Sequence, residues 1–478
     1  MSEFLIIQVG QCGNQIGGSL WPSILQEYKI LPCQHPNTVG RHGTSEYVRE
    51  QRFTLNSFLH IPNLEHSGGF QTLNLSELKK NNVKARVICI DMEDSVLSRF
   101  SNSKLSFLFD KSAIIRNYPG SSNNWAEGYC THGSTFKNNI LKIVTKYVER
   151  CDSLHGILLV YSMGGGTGSG LGSFVLEQLD DHFPNIERFV VCVYPNGSED
   201  VVTGPYNAML ATQYLARHAT CVFPAENRAL QDLCDRRRLT TRSEDARGCW
   251  SVAGTFDDLN SILVKLLLHV TSGSRFSGQL NFDMNEINTN MVPFPQMKFL
   301  CSSFSPIGIY EGNSVSSTTI REKNFWNACS KTNQLLKIDP LDVDSSLMAS
   351  MLFGRGEYTL TDMRNYVNKL QRKAPYLEWS KKCTKVGLCS IPPIDSKFSM
   401  MALFNTSSTK EIFFHISEQF HKLMRRKAHV HHYTKVPGFE FDCFYECQNT
   451  IADIIDIYEE AGTSNGITEE RISPNINY

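Results

Sequence analysis

The sequence lacks the features that mark membrane, secreted and disordered proteins. It contains no apolar run of the length needed to cross a bilayer, and its 15 cysteines include no Cys-x-x-Cys pair. An odd number of scattered cysteines is typical of free thiols in a reducing compartment. Because a strand-like run begins at Phe4, we expect no signal peptide. These absences predict a cytosolic chain with no membrane partner.

The chain also lacks a surplus of charge of either sign. It has 47 basic and 48 acidic side chains, a formal net charge of −1, and no long basic run. We therefore expect no nucleic-acid partner. A glutamate-rich tail is missing too. With 478 residues, 41% of them hydrophobic, the chain is long enough for two or three globular domains.

The most informative stretch is glycine-rich, residues 162–170, with the sequence Ser-Met-Gly-Gly-Gly-Thr-Gly-Ser-Gly. An apolar run of strand length precedes it, and apolar residues at helical spacing follow it. A glycine turn between a strand and a helix presents free backbone N–H groups at the positive end of the helix dipole. An anion such as phosphate binds there. A flexible linker is the alternative, but linkers are not clamped between a buried strand and an amphipathic helix.

This phosphate cradle matches neither common nucleotide motif. A P-loop places lysine directly before the Ser or Thr that opens the helix, and the dinucleotide fingerprint reads Gly-x-Gly-x-x-Gly. Residues 162–170 contain neither pattern. Without that lysine, backbone amides and a metal ion must offset the phosphate charge.

The same order of strand, loop and helix recurs along the first half of the chain. Residues 4–9 lead into the glycine turn 10–17, and residues 85–90 lead into an acidic loop that contains Asp91 and Glu93. Four such repeats predict an α/β fold with a doubly wound parallel sheet, whose ligands lie at the carboxyl ends of the strands. Acidic residues at that edge suit Mg²⁺ held partly through water, although a solvated turn is the simpler alternative.

These loops together resemble those of the tubulins and their bacterial cell-division relatives. The likeness extends from Phe4 to about Tyr458 and implies GTP or GDP with Mg²⁺ as cofactors, Glu93 being the metal ligand. It also implies a doubly wound nucleotide domain, a second mixed α/β domain and a C-terminal helical hairpin. Carried over position by position, the nucleotide-binding residues are Gln11, Cys12, Asp91, Glu93, Asn123, Ser162, Gly165, Gly166, Thr167, Gly168, Asp200, Asn227, Phe256 and Asn260.

Two positions depart from the family pattern. Gly204 stands where common tubulins have a glutamate expected to meet the ribose, which puts that sugar contact in doubt. Phe256 replaces the tyrosine that stacks on guanine, and a phenyl ring can still stack. Asn227 and Asn260 match the residues that hydrogen-bond the base, although an asparagine at a helix start is more often a cap.

The resemblance assigns catalysis to Asp283 and Glu286, in the segment that reaches the neighbouring subunit. A glutamate at the position of Glu286 in alpha-type tubulins helps a water molecule attack the γ-phosphate of the subunit below. Phosphoryl transfer needs a positioned water, a metal and charge stabilisation, so a carboxylate from a partner can complete a site. The sequence alone would favour a solvated helix residue. Enzyme activity therefore stays uncertain, at most that of a GTPase completed across a subunit contact.

The predicted domains are a nucleotide domain (1–226), a core helix with a mixed α/β domain (227–414), and a C-terminal helical region with a short tail (415–478). Residues 31–82 are expected to be a surface excursion, and 236–254 an inserted loop. A zinc site of His429, His432, Cys443 and Cys447 is conceivable but disfavoured, because no Cys-x-x-Cys knuckle supports it.

The chain combines a beta-like start at residues 10–15, an alpha-like Glu286, Gly204 at the ribose position, two insertions and the histidine-rich residues 427–433. Together these features resemble the epsilon branch of the family most, and the delta branch next. That resemblance implies a structural protein of centrioles and basal bodies in the cytoskeleton. Its expected partners are other tubulins, delta-tubulin or alpha- and beta-tubulin, in longitudinal contacts, together with centriolar proteins. A nucleotide-bound adaptor that does not polymerise and a self-contained GTP-using enzyme are the alternatives.

Overall fold

The computed structural model describes residues 2–31, 54–62, 74–195, 201–241, 255–276, 278, 280–308 and 316–462. The predicted site residue Asp200, most of the inserted loop 236–254 and the tail after residue 462 lie outside these ranges.

A six-stranded parallel sheet forms the first half of the chain. Its strand order is β5-β4-β1-β6-β7-β8, so the chain winds outward from β1 in one direction, then returns to β6 and winds outward in the other. The order reverses between β1 and β6, which is where ligands bind in doubly wound sheets. The strands are β1 Glu3–Val9, β4 Val87–Asp91, β5 Ile114–Arg116, β6 Leu154–Ser162, β7 Glu187–Tyr194 and β8 Cys221–Glu226.

Helices cover both faces of this sheet. Strand β1 is buried along its whole length, with Leu5 and Ile7 in one apolar cluster and Phe4 and Ile6 in another. That alternation follows from the two-residue side-chain period of a strand. The helices of this half are α1 Gly10–Glu27, α2 Leu75–Lys80, α3 Asp94–Asn102, α4 Ser134–Val148, α5 Gly172–His182, α6 Gly204–His218 and α7 Asn227–Thr241. Short strands β2 Leu59–His60 and β3 Lys84–Ala85 pair beside it.

A long helix, α8 Thr255–Arg275, joins the two sheets. Its apolar side chains, from Leu259 to Val270, are buried together with residues of α1 and of the second sheet. The second sheet is mixed, with order β11-β10-β12-β9, and only β10 and β11 are parallel. Its elements are α9 Met284–Met291, β9 Cys301–Ser305, α10 Ser317–Cys329, β10 Leu347–Gly356, α11 Leu360–Lys373, β11 Thr384–Cys389 and β12 Phe398–Thr406.

Helices α12 Lys410–Met424, α13 Val430–Thr434 and α14 Asp442–Gly462 end the described chain. Both long helices pack on α6 and so cover the outer side of the nucleotide domain. The fold class predicted from the sequence is confirmed, although the predicted domain boundary at residue 414 falls within α12. In the described part of the chain, no helix combines the length and apolarity required to traverse a bilayer.

The expected surface excursion is wrong for residues 54–62. Leu55, Phe58, Leu59 and Ile61 are buried there, and the amide of Phe4 donates to the carbonyl of Ser57. Because the flanking residues are polar, the apolar segment was not recognised as part of the core. Its burial depends on β1, which lies beside it.

Candidate functional site

A cavity opens at the carboxyl ends of β1, β4 and β6, where the strand order of the first sheet reverses. It has a volume of about 1270 Å³, part of it open to solvent. Every predicted nucleotide-binding residue that the structure describes lines it: Gln11, Cys12, Asp91, Glu93, Asn123, Ser162, Gly165, Gly166, Thr167, Gly168, Asn227, Phe256 and Asn260.

The two glycine loops touch each other at the floor of the cavity. Gly10 has a left-handed φ of 72°, and a Cβ atom there would lie 2.9 Å from the backbone nitrogen of Gly168. The loop after β1 and the loop after β6 therefore approach at a distance that only glycine permits. Gly165, by contrast, has only ordinary contacts around its Cβ position. Its open side leaves room for a ligand beside the main chain.

Asn207 of α6 holds the loop after β6 in place. Its Nδ2 atom donates to the carbonyl oxygens of Gly164 (2.8 Å) and Asn123 (2.9 Å), while its Oδ1 accepts from the amide of Trp125 (2.9 Å). The hydroxyl of Tyr433 also donates to this Oδ1 (2.6 Å). Asn207 is fully buried. It connects the loop after β6, the loop at 121–125 and the C-terminal helices.

Asn207 was absent from the sequence-based prediction. So were Gln15, Gly164, Leu230, Leu259 and Leu263, which line the cavity itself. Gln15 and Gly164 lie within the predicted loops, so their motifs held a signal for them. Gly204 lines the cavity as well, at the place where the ribose contact was in doubt. The apolar residues on α7 and α8 had no signal beyond helical periodicity.

Asp91 and Glu93 supply negative charge to one side of the cavity. Asp91 is buried, and one of its carboxylate oxygens, Oδ2, has no hydrogen-bond partner. Burial, followed by the nearby charge of Glu93, raises the pKa of Asp91 to about 7. A bound cation would satisfy that oxygen and reverse the shift. The donor set therefore fits Mg²⁺, an oxygen-preferring ion.

The rim residues fit a planar ring. Phe256 is 63% exposed although it borders the cavity, and Asn260 beside it is buried. An exposed aromatic ring at a cavity mouth offers a face for stacking, and a buried amide can bond both donors and acceptors of a base. Cys12 also lines the cavity, and burial raises the pKa of its thiol to about 12. The thiol is therefore neutral at physiological pH.

The predicted catalytic residues do not join this cavity. Asp283 contacts His155 (Oδ2 to Nε2, 2.8 Å), near the amino end of β6. The residues between His155 and Ser162 span about 23 Å of extended strand. Glu286, one turn into α9, pairs with Lys385 at 2.5 Å. Both carboxylates therefore lie at the opposite edge of the sheet from the chain's own cavity.

The conceivable zinc site is not assembled either. His429 and His432 stack on each other with ring centres 5.9 Å apart. Among the residues that the structure describes, no group of three or more His, Cys, Asp or Glu side chains is placed to hold a metal ion. Cys447 is instead buried in the apolar contact between α14 and the nucleotide domain.

Comparisons with known proteins agree with this architecture. Residues 3–235 match the Tubulin/FtsZ family GTPase domain, and residues 295–418 match the tubulin C-terminal domain. The chain is 35% identical to the tubulin epsilon chain of Homo sapiens over 475 residues, 96% of each chain. It is 34% identical to that of Mus musculus over 482 residues, 98% of each chain.

Beta tubulins are among the relatives too, at lower identity. The tubulin beta-1 chain of Homo sapiens is 29% identical over 478 residues, which cover 98% of this chain and 96% of the relative. The similarity to epsilon chains that the mixed motifs indicated is thus confirmed. The cavity at the sheet reversal, the central helix and the near-complete coverage of these relatives give one conclusion: the chain belongs to the tubulin family.

Proposed function

We propose that this protein is a tubulin subunit that binds GTP or GDP in the cavity and makes head-to-tail contacts with other tubulins. The observation that carries the proposal is the cavity itself, where the loops after β1 and β6 meet beside predicted base- and metal-binding residues. Such crevices at sheet reversals are where nucleotides bind.

Each side of the cavity has a role in this proposal. Backbone amides of residues 164–168 at the start of a helical turn bind the phosphates, and Thr167 is held there by a 2.9 Å hydrogen bond to Ser121. Asp91 and Glu93 hold Mg²⁺, which offsets phosphate charge. Phe256 stacks on guanine, while Asn227 and Asn260 bond its edge.

Hydrolysis in this proposal requires a second subunit. Glu286 and Asp283 lie at the sheet edge opposite the cavity, so a head-to-tail neighbour would present them to the nucleotide of the next chain. Contacts of this heterologous kind build open chains. The same position argues against a self-contained enzyme, because the isolated chain has neither carboxylate in its own cavity.

One observation favours an adaptor that keeps its nucleotide. Glu286 pairs through one carboxylate oxygen with Lys385 at 2.5 Å, and the lysine competes with water for that oxygen. We therefore include a nucleotide-bound, non-hydrolysing subunit as the second candidate. In either form, the similarity to epsilon chains supports a place in centrioles or basal bodies, beside delta-tubulin or alpha- and beta-tubulin and centriolar proteins.

The first test is the nucleotide content of the purified protein. Denaturation of the full chain is expected to release about one guanine nucleotide per chain, and Mg²⁺ removal is expected to speed its exchange. Chromatography of the released material measures the first quantity, and fluorescence of a labelled GTP analogue measures the second. Protein that carries no guanine nucleotide and binds none at micromolar concentration would overturn the proposal.

Glu286→Gln separates the two candidates. The variant should bind nucleotide as the wild type does, because Glu286 is remote from the cavity. If hydrolysis occurs in assembled subunits, phosphate release should fall by about 100-fold, in the range for loss of a general base. Phosphate release equal in wild type and variant, both at the level of free nucleotide, would instead support the adaptor.

A further inference from the structure

The segment between α12 and α14 concentrates positive charge on the surface. Residues 421–435, here named the cationic corner, include His421, Lys422, Arg425, Arg426, Lys427, His429, His431, His432 and Lys435. No acidic residue occurs between Glu418 and Glu440. Each of these basic side chains is exposed. In a chain with a net charge of −1, this is a strong local imbalance.

Little within the described part of the chain offsets this charge. Of the basic residues in the corner, only Lys422 has a carboxylate partner among the described residues, Glu418 at 2.9 Å. Lys427 lies 6.0 Å from the ring centre of Phe441. The neighbouring charge of His432 is the main cause that lowers the pKa of His431, as expected in a positive potential.

The cationic corner is fixed next to the mouth of the cavity. The hydroxyl of Tyr206 donates to the carbonyl of Ala428 (2.9 Å), and Nδ2 of Asn124 donates to the carbonyl of His432 (2.9 Å). Tyr433 is fully buried and bonded to Asn207, which also holds the phosphate-side loop. A protein that covers the cavity mouth would therefore also meet the corner, whose backbone is already held in place.

We propose that the cationic corner docks an acidic surface of a different protein chain, the subunit that lies across the cavity mouth. The position of that subunit rests on the proposed head-to-tail contact, whereas its acidity follows from the charge of the corner. Like charges across a contact are unfavourable and opposite charges steer association. The partner is thus recognised by its negative charge.

A second copy of this chain fits the corner poorly. At its opposite edge, Glu286 is paired with Lys385 and Asp283 with His155. Lys381 and Lys382 are exposed just before β11. These two carboxylates are thus already paired at that edge, and the two lysines add positive charge there. The contact therefore favours a different, more acidic subunit over self-association.

The test uses the full-length protein and a fluorescein-labelled peptide of alternating glutamate and glycine, with a glutamine version as the neutral probe. Binding is measured by fluorescence anisotropy at low and high salt. The variant Arg425→Gln/Arg426→Gln/Lys427→Gln is compared with Lys79→Gln/Lys80→Gln/Lys104→Gln, which removes three exposed charges elsewhere. Circular dichroism and nucleotide content confirm that each variant is folded.

We expect the corner variant to bind the glutamate peptide about ten-fold more weakly, the control to bind as the wild type, and added salt to weaken binding. Equal losses in both variants, or equal binding of the glutamine peptide, would overturn the proposal. Tighter binding of an RNA oligomer or of phosphatidylserine vesicles would assign the corner to that ligand instead. Wild-type oligomers at low salt that the corner variant cannot form would assign it to a second copy.

The nucleotide content of the same samples separates this inference from the proposed function. If the protein holds guanine nucleotide but ignores the glutamate peptide, the docking inference alone fails. If the peptide binds at the corner while the cavity holds no nucleotide, the acidic partner stands and the head-to-tail placement falls.

Discussion

At the residue scale, the architecture of the cavity depends on Gly10. Its backbone is left-handed, and its missing side chain lets the loop after β1 touch the backbone of Gly168. Any other residue would have to tolerate that strain and displace the phosphate-side loop. The position therefore links the backbone geometry of one residue to the shape of the whole cavity.

We predict that Gly10→Ala weakens GTP binding by roughly ten-fold or more. The alanine would strain the left-handed backbone and displace the loop after β6, and a free-energy cost of this kind lowers affinity by about that factor. Gly18→Ala is the matched control, since Gly18 lies on the same helix and a Cβ there meets nothing within 4 Å. The control should keep its affinity and gain up to about 1 kcal/mol of stability from helix propensity. Titration of a fluorescent GTP analogue measures both, and equal affinities in the two variants would contradict this role of Gly10.

The loop residues of the site could be predicted from the sequence, and Asn207 could not. An anion-binding turn of glycines between a strand and a helix can be predicted from local sequence, because consecutive residues form both the turn and its anion-facing amides. Asn207 acts through contacts with Gly164, Trp125 and Tyr433, which are far apart in the sequence. An asparagine in a helix gives no sign of such contacts until the chain is folded.

At the element scale, helix α9 depends on Asp283 for its first turn. The Asp283 side chain accepts a hydrogen bond from the amide of Glu286 at 2.7 Å, as an N-cap does, and also contacts His155. Burial raises the pKa of Asp283, but these two hydrogen bonds outweigh it, and the net pKa is lowered. This cap explains Asp283 without a catalytic role, which stays a prediction.

We predict that Asp283→Ala destabilises the protein by about 1 kcal/mol through loss of the cap, while Asp283→Asn, which keeps a capping oxygen, loses less. Because the folded-state pKa is lowered, the charge of Asp283 stabilises the fold above the ordinary carboxyl range, and this contribution disappears as pH falls through the lowered value. Urea unfolding at pH 7 and pH 3 measures the difference. An alanine variant as stable as the wild type at pH 7 would exclude the cap as a significant contribution.

Secondary structure was more predictable than strand pairing. Apolar residues at helical spacing after residues 162–170 indicated a helix there, which is observed as α5, since a helix buries a face that its own sequence defines. The order of the second sheet was beyond such reasoning. Strand β12 pairs antiparallel with both β10 and β9, and that choice depends on connections and packing between distant segments.

At the scale of the whole molecule, a buried ionic triad joins the two sheets. Glu27 at the end of α1 contacts Arg275 of α8 at 2.6 Å and Arg355 of β10 at 2.8 Å, and all three side chains are at most 1% exposed. Burial raises the pKa of Glu27, but the two guanidinium groups outweigh this and lower it. The nucleotide domain, the central helix and the second sheet thus share one charge cluster.

We predict that Glu27→Gln destabilises the protein by about 3–5 kcal/mol, because two buried arginines lose their counter-charge. Arg116→Gln is the control, since its pair with Asp94 is exposed (62% and 52%) and should contribute at most about 1 kcal/mol. Urea unfolding followed by tryptophan fluorescence and by far-ultraviolet circular dichroism compares the two. If the triad couples the domains, the two signals should separate in Glu27→Gln, since each sheet then unfolds at its own urea concentration. A single transition at the wild-type midpoint would show that apolar packing along α8 holds the domains together without the triad.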